Sequence, residues 1–258
     1  MAKPLFLLLI VATFLSVSTA ADKSRQIHPL RSLEAAGDHQ DHGISCDSWR
    51  VAVETNNIRE WDAVPVSCEF YVGNYMQGGL YRKDSAFIID QAIEYAESLK
   101  LVGDGKDIWV FDIDETCLSN LPYYSVHGFG SEPYNDTLFE AWVYMEMAFP
   151  LPETLKLYNR LVSLGFKIVF LTGRTEPKRN STVMNLLKAG YTSWEKLLLR
   201  GPSDSTTTAL VFKSGQRQKL EEQGYRILGN IGDEWSDILG ASAGSRTFKL
   251  PDPMYYIS

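Results

Sequence analysis

The chain has 258 residues, 45% of them apolar, with 32 acidic side chains against 25 basic ones and a net charge of −7. That length is enough to bury one core and leave room for an elaboration. An acidic chain without a clustered Lys/Arg stripe lacks the phosphate contacts that nucleic-acid binding needs, so that class is excluded.

Residues 1–20 read as a secretory signal: Lys3, the apolar run Leu5 to Leu15, then the small residues Ser18-Thr19-Ala20. The run is too short for a membrane span, and nothing later in the chain is apolar enough to be a second one. The expected route is secretory, ending outside the cell or in a vacuole. Residues 21–45 are polar, without an apolar period, and hold three of the four histidines. Asp38-His39-Gln40-Asp41-His42 has metal-ligand residue types, but the composition favours a solvated, flexible arm.

Residues 46–258 read as one domain, with an N-terminal elaboration over 46–105 and a core over 106–258. Three cysteines in an exported chain imply one disulfide and one spare. Cys46 and Cys68 share the N-terminal segment and are paired here; closing that loop stabilises the fold by roughly 3 kcal/mol. Cys117 lies in an apolar stretch and reads as a buried thiol, because no base with an acidic orienter is evident for it. Within the elaboration, Ile88, Ala92, Tyr95 and Leu99 form one stripe of a helix over Ser85–Leu101, ended by Gly103.

The apolar run Ile108 to Phe111 reads as a buried parallel strand ending in Asp112 and Asp114. Period-2 geometry aims these two carboxylates at one spot. The insert 117–150 is rich in aromatics and helical over Asp136–Met147. It reads either as a flap that excludes water or as ordinary core packing, with His127 a weak candidate for substrate contact.

Pro152 opens a helix with the stripe Leu155, Tyr158 and Val162, closed by Gly165. Phe166–Leu171 is the second strand, running into Thr172-Gly173-Arg174, and Glu176–Ala189 the next helix. Lys196–Leu199 is a third strand; Ala209–Lys213 then precedes a short helix over Gln216–Gln223. Arg226–Ile231 is a fourth strand, ending Gly232-Asp233-Glu234-Trp235-Ser236-Asp237, and Ser245–Leu250 a fifth. Strands alternating with helices predict an α/β fold with a doubly wound parallel sheet.

In such a sheet the carboxyl ends of the strands face one crevice. Asp112, Asp114, Thr172, Gly173, Lys213, Asp233 and Asp237 all fall near those ends. Clustered carboxylates repel one another unless a hard cation neutralises them, and Asp oxygens suit Mg²⁺. Lys213 and the cation together favour an anionic guest, and Thr172 with the Gly173 amide offers donors to phosphate oxygens. Monoester hydrolysis is too slow for one acid or base to supply the needed acceleration, so a covalent route through Asp112 is attractive, with Asp114 as acid and then base.

Asp112-x-Asp114-x-Thr116, Thr172-Gly173-Arg174, Lys213 and Gly232-Asp233-x-x-x-Asp237 resemble, in order, the four signature motifs of the haloacid dehalogenase superfamily of phosphohydrolases. With Asp-Ile-Asp-Glu-Thr, Gly-Asp-Glu-Trp-Ser-Asp and the secretory start, the chain looks like the plant acid phosphatase branch (class B-like), which includes vegetative storage proteins. The resemblance covers about Cys46 to the C-terminus. It implies Asp112 as nucleophile, Asp114 as general acid/base, and Asp112, the Asp114 backbone carbonyl and Asp233 as Mg²⁺ ligands. Thr172, Gly173 and Lys213 would contact phosphate.

Asp237 stands either behind the metal ligands or as a helix N-cap, and Arg174 and Glu115 either contact substrate or pair structurally. Asn135 and Asn180 open glycosylation triplets. Three readings follow: an acid phosphatase acting on small phosphate monoesters, a storage protein with residual activity, or an aspartyl-phosphate receiver or pump. The signal, the lack of spans and Asp114 count against the last. The sequence marks no interface; a homodimer is compatible with it.

Overall fold

A computed structural model describes residues 44–258. The signal-like segment and the stretch with His39 and His42 lie outside the described residues. Among the described residues no helix is long and apolar enough to cross a membrane.

Three helices come first: α1 (Cys46–Glu54), α2 (Glu69–Gln77) and α3 (Gly79–Ser98). The Cys46–Cys68 disulfide forms, with the two Cα atoms 5.4 Å apart, and ties the start of α1 to the residue before α2. Helix α3 begins at Gly79 rather than Ser85, because Tyr81 and Ser85 extend the buried stripe Ile89, Ala92, Ala96 backwards. It stops at Ser98, ahead of Gly103. Trp49, Val72, Tyr75 and Met76 pack with Tyr123, Tyr124 and Met254, so the elaboration shares its core with the insert and the C-terminal segment.

Strand β1 (Asp107–Phe111) is buried throughout. The insert then folds as β2 (Leu118–Ser119), α4 (Leu121–Tyr124), α5 (Asp136–Met145) and β3 (Phe149–Pro150). Antiparallel pairing of β2 with β3 closes its base. The Asn135 side chain accepts the Leu138 N–H and so caps α5; Glu146, left-handed at φ 53°, ends the helix short of Met147.

Helix α6 (Pro152–Leu164) buries Thr154, Leu157, Tyr158 and Leu161; of the expected stripe Tyr158 is in the core, Leu155 packs against its edge and Val162 lies at the surface. Gly165, at φ 94°, terminates it. Next come β4 (Lys167–Thr175), α7 (Arg179–Lys188), β5 (Lys196–Arg200), α8 (Ala209–Glu222), β6 (Arg226–Gly232), α9 (Trp235–Ile238) and β7 (Thr247–Lys249).

Helix α8 corrects the expected Gln216 start. Thr208 caps it by accepting the Val211 N–H, and Ala209, Phe212, Lys213, Arg217 and Leu220 face inward at helical spacing. Lys213 therefore sits inside a helix, not ahead of one.

The five-stranded sheet has the order β5-β4-β1-β6-β7, every pair parallel. The chain starts at the centre, moves to one edge through β4 and β5, and returns past β1 to β6 and β7. Trp109, Phe111, Ile168 and Phe170 face one core with residues of α3 and α6, while Ile108, Val110, Val169 and Leu171 face Phe212 and Leu220 of α8. The carboxyl end of β1 thus lies where strand order reverses, the place at which open α/β sheets form a crevice.

Candidate active site

Asp112 and Asp114 leave β1 into that crevice. The turn after them is held from below by Glu115, which is left-handed at φ 49° and fully buried. Its carboxylate accepts the Asn120 N–H at 2.7 Å and the hydroxyls of Ser119 and Tyr81 at 3.1 Å. Burial pushes this carboxyl up to about 8. Glu115 therefore braces the loop and does not line the cavity.

On one side of the site Lys213 reaches in from α8 and donates to Asp112 Oδ1 at 2.6 Å and to Asp237 Oδ1. Asp233, just past the end of β6, accepts from the Thr116 hydroxyl at 2.8 Å and the Tyr255 hydroxyl at 2.9 Å. Oxygens of Asp112, Asp233 and Asp237 lie within 4.8 Å of one another, all buried. Asp237 is the third residue of α9 and accepts the Glu234 N–H at 3.0 Å, so it closes the α9 turn from inside, not as an N-cap. Gly232 is required there, because a Cβ would run into the Asp237 side chain.

Burial, then the charge of Asp237, raises the proton affinity of Asp112 well above the carboxylate range and carries Asp233 up to about 7. Burial works against the Lys213 ammonium, but Asp112 and Asp237 outweigh it and keep the lysine charged. A small hard cation fits this donor set: three close, buried carboxylates faced by a single lysine.

On the other side Arg174, from β4, forks onto Asp114, with Nη2 2.8 Å from Oδ1 and Nε 3.0 Å from Oδ2. Asn120 Nδ2 donates to Asp114 Oδ1 at 3.0 Å. Burial would raise Asp114, but Arg174 prevails and holds it below the usual carboxylate value. Thr172 is buried; its hydroxyl lies 3.5 Å from Asp114 Oδ2 and accepts the Arg174 N–H at 3.1 Å.

Asp112, Asp114, Gly173, Arg174, Lys213 and Asp233 line a cavity of about 440 Å³, while Thr172, Asn120 and Asp237 stand behind its wall. A Cβ on Gly173 would meet nothing within 4 Å, so its backbone is bare toward that space. Tyr124, Tyr134 and Phe139 of the insert and Tyr255 and Tyr256 of the C-terminal segment form the outer wall. His127 pairs with Glu132 at 3.0 Å, packs on Tyr123 and does not line the cavity. Cys117 is buried and free.

Sequence reasoning missed two contacts to the carboxylates, Asn120 on Asp114 and Tyr255 on Asp233, and with them Trp142, which bonds to the Asn120 amide. Asn120 follows Ser119 between Leu118 and Leu121, and nothing local marks it out from that neighbour. Tyr255 and Trp142 carry no local sign either, because their partners are distant in the chain.

Over residues 31–258 the chain matches the family described as HAD superfamily, subfamily IIIB (Acid phosphatase). The chain belongs to this family. It is 50% identical to acid phosphatase 1 of Solanum lycopersicum, over 83% of this chain and 84% of that protein. It is 52% identical to the stem 28 kDa glycoprotein of Glycine max over 83% and 84%. To vegetative storage protein 1 of Arabidopsis thaliana it is 38% identical over 97% and 96%. The class C acid phosphatase from Bacillus anthracis, 21% identical, superposes with a TM-score of 0.62 over 74% of this chain and 86% of that one, and shares the fold of this subfamily IIIB member.

Proposed function

We propose that this subfamily IIIB member is a Mg²⁺-dependent acid phosphatase of the secretory pathway that hydrolyses small phosphate monoesters through an aspartyl-phosphate on Asp112. The observation that supports it most is the Asp112–Lys213 pair, 2.6 Å apart, in one cavity with Asp114 and Asp233. Asp112, Asp233 and the Asp114 backbone carbonyl would hold Mg²⁺, which when bound neutralises carboxylate charge and polarises phosphoryl oxygens.

In the first step an Asp112 oxygen bonds to phosphorus while the bond to the leaving oxygen breaks, and that oxygen takes the proton of Asp114. In the second a water oxygen bonds to phosphorus, Asp114 takes its proton, and the bond to Asp112 breaks to release phosphate. Lys213 offsets the charge on Asp112 and on the group in transit. Thr172 and the Gly173 amide orient that group, while Asp237 positions Lys213. Arg174 weakens the hold of Asp114 on its proton, so the protonated form that starts the cycle grows as the pH falls.

The test is Asp112→Asn with a chromogenic monoester and Mg²⁺. Turnover should fall by at least about 10⁴-fold; undiminished turnover sinks the mechanism.

A storage role is the second reading, favoured by the likeness to vegetative storage protein 1 along nearly the whole chain. Protein abundance across tissues, set beside the specific activity of the purified protein, separates the two. Asn135 and Asn180 are exposed. Of the two, Asn135, at the tip before α5, is the better glycan acceptor, because Thr182 of the second triplet is buried under Arg174. Intact-mass analysis before and after deglycosylation checks this.

A further inference from the structure

Asn120 stands at the N-cap position of α4, a place where Asn side chains commonly accept a helix N–H, yet it makes no such bond. Its side chain turns instead to Asp114: Nδ2 donates to Oδ1 at 3.0 Å, while Oδ1 of the amide accepts the Trp142 indole N–H at 2.9 Å. Asn120 is fully buried, and Trp142 is anchored between two parts of the core. An indole N–H can only donate. The amide is therefore locked with its NH₂ toward Asp114, and the insert, through α5, dictates that orientation.

A carboxylate oxygen has about two lone-pair directions. Asp114 Oδ1 has both engaged, by Asn120 and by Arg174 Nη2 at 2.8 Å. Oδ2 has Arg174 Nε at 3.0 Å and only the Thr172 hydroxyl at 3.5 Å. Every group on Oδ1 is an N–H donor, Arg174 Nε at 3.2 Å included, whereas the distant Thr172 hydroxyl beside Oδ2 can turn its proton away, so Oδ2 is the oxygen with room for a transferable proton.

We infer that Asn120, oriented by Trp142, is a positioning residue that assigns proton transfer to Asp114 Oδ2 and holds that oxygen in line with the leaving group. This rests on the reading of Asp114 as general acid. In the transfer itself the Oδ2–H bond breaks as the bond from that hydrogen to the leaving oxygen forms, and Asp114 is left as a carboxylate.

The experiment is a leaving-group series. Dinitrophenyl phosphate departs without help from an acid, whereas phenyl phosphate needs the proton. Asn120→Ala and Trp142→Phe, both checked by circular dichroism and Tm, should lose about 30-fold in kcat on phenyl phosphate and less than about 3-fold on dinitrophenyl phosphate, a fraction of what a positioned acid supplies. Asn120→Ala should add nothing further in an Asp114→Asn background. Equal losses across the series in both variants, or no loss in either, would overturn the inference. Asp114→Asn is the control: a flat loss there overturns the general-acid reading itself, and so is distinguishable from a failure confined to Asn120. Trp142→Phe keeps the test decisive if Asn120→Ala does not fold.

Discussion

Asp112 and Asp114 leave the same strand with one residue between them, yet the two sides of the cavity they serve are built in opposite senses. The Asp112 side gathers carboxylates, Asp233 and Asp237, around one lysine. Burial and like charge there raise proton affinity. The Asp114 side brings donors, the Arg174 fork and the Asn120 amide, to one carboxylate, and proton affinity falls. Neighbours supplied by other elements push the proton affinities of the two residues in opposite directions. A strand end with two identical side chains thus offers two different environments, the ones that the proposed roles of Asp112 as nucleophile and Asp114 as acid and base require.

The largest effect that can break this contrast comes from Lys213. Lys213→Met leaves Asp112 and Asp237 buried without their cation, which should cost about 3–5 kcal/mol in denaturant unfolding and at least about 10²-fold in turnover. A stable variant would mean that the Asp112 side does not depend on its single lysine.

On the other side, Arg174→Gln removes the charge that depresses Asp114. A carboxyl whose folded-state value is lowered loses its proton early as pH rises; without the guanidinium it keeps the proton longer. The alkaline limb of the kcat/KM profile, the limb on which the acid form is lost, should move to higher pH, and KM should rise. A limb that stays in place breaks the assignment of Asp114 as acid.

The smallest effect is one of stability. Asp233, raised to about 7, binds its proton more tightly folded than unfolded. The sign is therefore the reverse of the usual carboxylate case: no cost below the unfolded value of about 3.9, and a growing cost as pH climbs through 7. Chelated protein should lose a few degrees of Tm from about pH 5 to about pH 8, and added Mg²⁺ should close that gap. A chelated protein equally stable at both ends of the range contradicts the repulsion on the Asp112 side.

How far the sequence announced this site depended on chain distance. The apolar run into Asp112 and Asp114, and the apolar runs leading to Thr172 and Asp233, were legible because period and punctuation are local. So was the Cys46–Cys68 bridge. Sequence alone places Ala209-Leu210-Val211-Phe212-Lys213 ahead of the helix because the charged run Gln216–Gln223 is the part with an obvious solvent-facing pattern; the Thr208 cap and the inward stripe through Leu220 place the segment inside the helix, and only packing reveals the stripe. The insert was legible as aromatic but not as the source of a hydrogen bond. Trp142 meets Asn120 only because the β2–β3 pairing folds α5 back over the β1 loop.

In the proposed reaction a carboxylate oxygen of Asp112 attacks phosphorus and carries the phosphoryl group. Acid-quenching the enzyme during turnover of a radiolabelled monoester tests this directly. We predict label bound to the protein, stable in acid, released by hydroxylamine and mapping to the peptide that holds Asp112. Label recovered only as free phosphate while turnover survives in Asp112→Asn, or label mapping to any other residue, would contradict it.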